Sequence, residues 1–392
     1  MTSKTISIKT PKRSSSYQIE IGTGLLSNIG DVVRRTLGSQ ARRVAVVSNP
    51  KVFGLYGSLV ADSLDRCGFQ SFFWNMKDGE QHKNLGSLGS ALRFLGESRL
   101  KRTDVVIALG GGVVGDLAGF AASIYLRGIP FFQVPTTLLS MIDSSVGGKT
   151  GVNTEFGKNL VGAFYQPRGV IADVETLATL PDRELTAGFC EAVKQGALSG
   201  NQLLDRTGNF LARHRKTKVN GWFSDPSAEG SLVRLIHDQI AFKAGIVRQD
   251  ETESLDRSDS RSRKILNFGH TFGHALEKVT EYKRFKHGEA VGHGILFAAE
   301  LSKILELADE NGLKCLNDVV HRAGTLPPLQ DIDRGAVLQA FQFDKKLISE
   351  SLQWILLRGI GKPVILSGKQ VPSAAVRKAL KRIIQQIPDH IV

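Results

Sequence analysis

Cysteine is scarce in this chain. Cys67, Cys190 and Cys315 are odd in number and far apart, and none belongs to a Cys-x-x-Cys pair, which argues against a disulfide framework or a thiolate zinc site and points to a reducing, cytoplasmic setting. Long apolar runs are missing too. No stretch approaches the roughly 18 residues that a bilayer span requires, and no compact apolar segment follows the N-terminal charges as in a secretion signal, so neither a membrane nor export is expected. Acids are outnumbered, 38 against 51 lysines and arginines, for a formal charge of +13. That excess would suit an anionic small substrate, a membrane surface or nucleic acid. The bases are dispersed, with no long run of like charge and no basic block interleaved with aromatics, and no nucleic-acid partner is expected. The start resembles some organelle transit peptides in composition, with Lys4, Lys9, Lys12, Arg13 and several serines before the first acid, Glu20. Against that, Ile6 and Ile8, then Tyr17, Ile19 and Ile21, alternate with polar neighbours as in an edge hairpin that opens a domain.

What is present is globular: 41% hydrophobic and 23% charged residues in a length of 392 that suits two domains. Short β-branched runs at Arg43 to Ser48, Phe69 to Trp74, Asp104 to Leu109, Phe131 to Val134 and Val170 to Val174 alternate with helical stretches, the pattern of a parallel α/β sheet. After Pro181 helical periodicity takes over, with stripes at Leu232, Leu235, Ile236 and Ile240 and at Val291, Ile295, Ala298, Leu301 and Leu305, until a short strand near Leu352 to Leu357. The expected division is an α/β, Rossmann-like nucleotide-binding domain over 1–180 and a mostly helical domain over 181–392, with the boundary near Thr179 to Asp182. Residues 250–264 are almost wholly polar and read as an exposed loop.

Chemistry-bearing residues cluster in three places. The strand ending at Leu109 runs into Gly110-Gly111-Gly112-Val113-Val114-Gly115-Asp116 and then a small-residue helix. Glycines let such a turn approach a pyrophosphate, whose charge meets the free N–H groups of the helix start. Upstream, Asp78, Glu80 and Lys83 follow a strand and suit ribose hydroxyls and a phosphate. A second block, from Arg127 through Pro135-Thr136-Thr137 and Asp143 to Gly147-Gly148-Lys149 and Lys158-Asn159, collects small hydroxyl residues, glycines, lysines and a carboxylate without apolar periodicity, which packing would demand. Third, four of the nine histidines, His270, His274, His287 and His293, lie close together. His270 and His274 share a helical face at the spacing of helical zinc sites. On the helix after Asp182, Leu185, Phe189 and Val193 form the buried stripe, and Glu191 faces elsewhere beside Ala187, Gly188 and Lys194.

On these motifs, taken in order with Gly157 to Gln166, Glu191 to Gly196, Asn267 to His274 and His287 to Val291, the chain resembles the 3-dehydroquinate synthase family of sugar-phosphate cyclases from about Tyr17 to Gly361. The resemblance implies a homodimer of two-domain subunits that binds NAD and a divalent metal, zinc or cobalt. It would act on 3-deoxy-D-arabino-heptulosonate 7-phosphate, in the shikimate route to aromatic amino acids. It implies Glu191, His270 and His287 as metal ligands, His293 as structural, and cofactor contacts from Asp78, Glu80, Lys83, Gly111, Gly112, Val113, Val114, Gly115, Asp116, Thr136, Thr137, Lys149, Lys158, Thr176 and Thr179. Asp143, Lys149, Asn159, Lys194, Lys243, Arg263, Asn267, His274 and Lys345 or Lys346 would meet substrate, and Arg127 would reach the phosphate pocket of the partner subunit. Transient oxidation by NAD would acidify the C–H beside the new carbonyl, allow phosphate to leave, and be reversed, with no net redox change. The loop 250–264 is longer than usual for such chains, and Gln195 stands where an aromatic is often found. Rival readings are another cyclase, such as a 2-deoxy-scyllo-inosose or 2-epi-5-epi-valiolone synthase, and a metal-dependent polyol dehydrogenase that would accumulate NADH. Arg263 and Asp344-Lys345-Lys346 favour an acidic substrate.

Overall fold

The computed structural model describes residues 16–215, 218–254, 256–347 and 352–385, with the backbone alone at 310–312 and 342–347. Strands β1 (Gln18–Gly22), β2 (Arg43–Ser48), β3 (Gln70–Asn75), β4 (Val105–Gly110) and β5 (Phe131–Pro135) are followed by a hairpin, β6 (Lys149–Thr154) and β7 (Gly157–Phe164), and then β8 (Gly169–Asp173). All but the hairpin join one fully parallel sheet in the order β1-β8-β5-β4-β2-β3. Its inner strands are apolar on both faces because helices cover both. Val44 and Val46 of β2 pack toward α1 (Ile29–Leu37) and α2 (Pro50–Arg66), whereas Ala45 and Val47 pack toward α3 (Leu85–Glu97) and α4 (Gly112–Ile124).

The expected strands are found within a residue or so of their expected bounds. The N-terminal hairpin takes a different form: Tyr17 to Ile21 falls on the edge strand β1, which runs parallel to β8 with Ile19 opposite Val170, and Ile6 and Ile8 lie outside the described residues. Its partner thus lies about 150 residues on, and β1 closes one side of the sheet.

The helical half comprises α5 (Asp182–Ser199), α6 (Asn201–His214), α7 (Asn220–Phe223), α8 (Pro226–Gln249), α9 (His270–Val279), α10 (His287–Ile304), α11 (Glu310–Ala323), α12 (Arg334–Leu347) and α13 (Ser373–Gln385). Antiparallel strands β9 (Gln353–Leu357) and β10 (Pro363–Ser367) separate the last two helices. Helix α5 is not the one-sided helix its stripe suggested. Every residue from Leu185 to Leu198 is buried, because α6, α8, α10 and α11 surround it. The block around Asp143 also contains an apolar stripe after all, since Leu138, Met141, Ile142 and Val146 enter the same core as α5. Among the described residues no helix is long and apolar enough to cross a membrane.

Candidate active site and metal centre

One cleft of about 3070 Å³ runs from the C-terminal edge of the sheet to α9 and α10, so that the glycine turn and the histidines face the same space. Its sheet end lies where β2 and β4 are neighbours and the chain leaves them in opposite directions, the place where open parallel sheets bind nucleotides. All residues expected to hold the cofactor line it except two. Gly115 faces the sheet instead, where a methyl group would lie 2.5 Å from Gln133 Oε1. The Thr176 hydroxyl is turned inward and donates to the Asp173 carbonyl at 2.8 Å. Lys83 is buried, 2.9 Å from Asp116 and 3.2 Å from Glu80; burial works against its charge, but the two carboxylates raise its pKa overall. This triad shapes the turn, while Thr136 Oγ1, buried without a hydrogen-bond partner, remains available to a polar ligand.

At the other end, α5, α9 and α10 bring four candidate ligands together. Ligand atoms of His270, His274 and His287 all lie within 4.8 Å of one another. Glu191 Oε1 lies 3.8 Å from His270 Nε2 and 3.6 Å from His287 Nε2. His274, expected to meet substrate, also joins the cluster, its ring 5.4 Å from His270 and 5.8 Å from His287 against 5.1 Å between those two, and it is the most exposed of the three. The approach depends on Gly288: a methyl group there would sit 2.0 Å from the Ala187 carbonyl oxygen, so glycine lets the start of α10 lie against α5 and places His287 beside Glu191. His270 Nδ1 is 3.2 Å from the Phe268 carbonyl. A carbonyl only accepts, so Nδ1 carries the proton and Nε2 is left as a lone-pair donor.

Glu277 is a residue that sequence reasoning missed. Its Oε2 stands 3.2 Å from His287 Nδ1, and its Oε1 takes the Lys158 ammonium at 3.0 Å. A carboxylate behind a histidine fixes its tautomer and raises its basicity toward a metal. The chemistry of the set fits a divalent cation: the Glu191 carboxylate is enclosed, its Oε1 facing the two ring nitrogens and its Oε2 paired with the Lys194 ammonium at 2.6 Å. Burial raises the Glu191 carboxyl and lowers the His270 ring well below its ordinary pKa. His293 stands apart, its Nε2 donating to the Pro327 carbonyl at 2.8 Å.

Between the two ends sits Asp143, whose carboxylate joins the Lys194 ammonium at 2.9 Å and the Lys243 ammonium in a still closer contact. Burial alone would raise this carboxyl, but the two lysines hold it well below the usual carboxylate range. Burial, together with repulsion from Arg263 and Lys194, pushes Lys243 down to about 8 despite Asp143.

The 250–264 loop departs from expectation. Asp250, Ser262, Arg263 and Lys264 are buried, since the Asp250 carboxylate caps the returning chain at Arg263 N, 2.8 Å, and the Arg263 guanidinium reaches inward to the Gly147 and Glu251 carbonyls at 2.9 and 2.7 Å. Gly147, at φ 99°, makes room for it: a methyl group would meet the guanidinium at 2.5 Å. From the same loop Glu253 pairs with Lys149 and accepts from Asn267 Nδ2 at 3.2 Å. Asn159 lines the cleft with left-handed backbone, φ 55°. Arg127 is exposed and does not line the cleft. Lys345 and Lys346 fall in the last turn of α12, and their side chains lie outside the described residues.

The chain is similar to known proteins along most of its length. Residues 73–187 match the family model for the 3-dehydroquinate synthase N-terminal region and residues 188–347 that for its C-terminal region. Curated relatives include the 3-dehydroquinate synthase of Syntrophotalea carbinolica, 41% identical over 94% of this chain and 96% of its own. That of Pelotomaculum thermopropionicum is 39% identical over 93% of each. Among solved structures, 2-epi-5-epi-valiolone synthase from Streptomyces hygroscopicus subsp. jinggangensis, with NAD+ and Zn2+ bound, superposes with a TM-score of 0.83 at 25% identity, covering 96% of this chain and 99% of that one. A 2-deoxy-scyllo-inosose synthase complexed with carbaglucose-6-phosphate, NAD+ and Co2+ gives 0.75, also at 25%, covering 93% and 96%.

Proposed function

From the premise that the chain belongs to the 3-dehydroquinate synthase family, NAD- and metal-dependent enzymes that convert 3-deoxy-D-arabino-heptulosonate 7-phosphate to 3-dehydroquinate and phosphate, we propose that Glu191, His270 and His287 hold its metal. Two imidazoles and a carboxylate form an ordinary zinc set with open positions, and cobalt fits the same donors. When bound, the two cofactors supply a reversible hydride acceptor and a Lewis acid for a substrate alcohol. The chain's residues do the rest. Asp143 keeps Lys194 and Lys243 charged and aimed into the cleft. With Lys149 and Arg263, these lysines neutralise the carboxylate and phosphate of the substrate, the kind of fixed charge that stabilises developing anions, and Asn159 and Asn267 add hydrogen bonds. His274 lies where it can hydrogen-bond substrate next to the metal.

The subunits act as a cytoplasmic homodimer in this reading, with Arg127 of the partner subunit reaching the phosphate. Phe156, 69% exposed, and Leu160, Val161 and Phe164, which alternate between the two faces of β7, leave apolar side chains exposed on the hairpin at the rim of the cleft, and a second copy would cover part of them. The observation that carries the functional reading is the single cleft with the glycine turn at one end and the Glu191 cluster at the other. Purified protein should release phosphate from the seven-carbon substrate with catalytic NAD and without growth of NADH absorbance. Stoichiometric NADH would refute the reading in favour of a polyol dehydrogenase.

A further inference from the structure

Residues Ser140–Ser144 form a widened π-type turn, closed by Ser145 N donating to the Ser140 carbonyl at 3.1 Å. Such turns need outside partners for their carbonyls, and they recur at functional sites. Here the next three carbonyls are each met by a side chain, and that of Asp143 also accepts from Val146 N at 3.1 Å. The Ser145 hydroxyl donates to Met141 O at 3.4 Å, Gln195 Nε2 donates to Ile142 O at 2.9 Å, and the Lys243 ammonium reaches Asp143 O. Gln195 is fully buried, and its Oε1 has no hydrogen-bond partner. The amide is therefore held by one bond, the one to the peptide that precedes Asp143. Helix α5 thus delivers two neighbouring side chains to one turn: Lys194 to the Asp143 carboxylate and Gln195 to the backbone beside it.

We propose that Gln195 is a positioning residue for the reaction: by holding the Ile142 carbonyl it keeps the turn wide and the Asp143 carboxylate between Lys194 and Lys243. The inference rests on the functional reading above, in which those two lysines receive substrate anions. Without the amide donor the turn has reason to tighten to ordinary α-helical spacing, and a slip of one residue rotates a side chain by about 100° around the helix axis. Asp143 would then leave the lysines, which would face each other without their shared counter-ion. An aromatic at this position would need another donor for Ile142 O, so the amide and the wide turn belong together in this chain.

The test compares holoenzymes with metal and NAD content measured. Gln195→Met has similar length and no donor, and its kcat/KM should fall at least about tenfold while NAD affinity and metal content stay at wild-type values. Gln195→His keeps a ring N–H and should recover most of the loss. The deciding measurement is a double-mutant cycle with Asp143→Asn. If Gln195 acts through Asp143, adding Gln195→Met to Asp143→Asn should change kcat/KM less than about twofold, because interacting sites are not additive. A full tenfold loss in both backgrounds, or no loss from Gln195→Met alone, overturns the proposal. Should Gln195→Met fail to fold, Gln195→Leu, which also lacks a donor, and its combination with Asp143→Asn carry the same comparison, and wild-type-like activity with a tightened turn by NMR or crystallography would overturn it. A wild-type enzyme that released no phosphate would instead remove the functional reading itself.

Discussion

Replacing His293 by glutamine should change how the stability of the helical half depends on pH, and the structure gives the sign and size. His293 is 8% exposed, its Nε2–H bonded to the Pro327 carbonyl and its ring edge-on to Phe285 at 5.8 Å. Burial, with His321 and Arg284 adding repulsion and the Pro327 bond opposing, pushes its pKa down to about 4. In the unfolded chain the ring titrates near the ordinary value of about 6.5. Between these values the unfolded state binds a proton that the folded state does not, so stability is fully present above about pH 6.5 and is lost as pH falls toward 4. The loss is about 1 kcal/mol between about pH 7 and pH 5.5, and about 3 kcal/mol once pH 4 is passed.

Glutamine reaches about as far, can donate to the same carbonyl and does not titrate. The variant need not match the wild type in absolute stability; the difference between the two pH profiles is the quantity of interest. Denaturant unfolding followed by tryptophan emission would report on the right core, because Trp222 and Trp354 are buried in it and Trp354 packs 5.9 Å from Phe297, one turn along α10 from His293. The variant should gain on the wild type as pH is lowered, by the amounts given above. Parallel profiles would refute the argument that His293 is held neutral by its surroundings.

Glu277→Gln should weaken zinc affinity about 10- to 100-fold with the fold intact, as measured by competition with a chromophoric chelator, whereas unchanged affinity would leave Glu277 only a packing role. Because Lys243 deprotonates near pH 8, its contribution to binding an anionic substrate should be present below that pH and lost above it; kcat/KM should show an alkaline limb there that moves out of range in Lys243→Arg, and a limb unmoved by that change would assign it elsewhere. Arg127→Ala and Glu191→Ala proteins should each be nearly inactive but recover about a quarter of wild-type sites when their subunits are randomly exchanged, since one site of a mixed dimer then carries neither lesion. Activity that stays at the level of the separate variants after verified exchange would confine Arg127 to its own subunit.

The parallel sheet was legible because strands buried on both faces are short β-branched runs whatever their neighbours; β2 was found with its expected bounds at Arg43 and Ser48. The β6–β7 hairpin was not legible. Lys149 to Phe164 is rich in glycine, lysine and asparagine, poor strand formers, and the ladder depends on closeness: a methyl group at Gly162 would lie 2.1 Å from the Thr150 carbonyl oxygen. The histidine cluster could be read because residues four apart share a helical face. The Glu277 partner followed the same rule, three residues beyond His274, but a glutamate on a helix has no visible destination until α10 brings His287 to it. The buried ends of the 250–264 loop were hidden for a similar reason. Polar residues satisfied by one another, as Arg263 is by the carbonyls of Gly147 and Glu251, look in sequence like residues satisfied by water.

These pairings share a consequence for binding. Five of the lysines that line the cleft already have a carboxylate: Lys83 has Asp116, Lys158 has Glu277, Lys194 and Lys243 have Asp143, and Lys149 has Glu253. A substrate carrying phosphate and carboxylate must exchange these partners, so its affinity is a difference between two sets of ion pairs. The first four pairs are largely enclosed, and separating them would strand a buried charge. Lys149 and Glu253 are the exception, with side chains 49% and 21% exposed, and Glu253 also holds Asn267. An exposed pair is worth at most about 1 kcal/mol, so removing the charge of Glu253 should release Lys149 for substrate and lower KM by up to about fivefold. Glu253→Gln keeps the contact to Asn267 while doing so, and steady-state kinetics at low ionic strength would measure the change. A KM that rises in this variant would mean that Glu253 helps to build the anion site and does not compete for it.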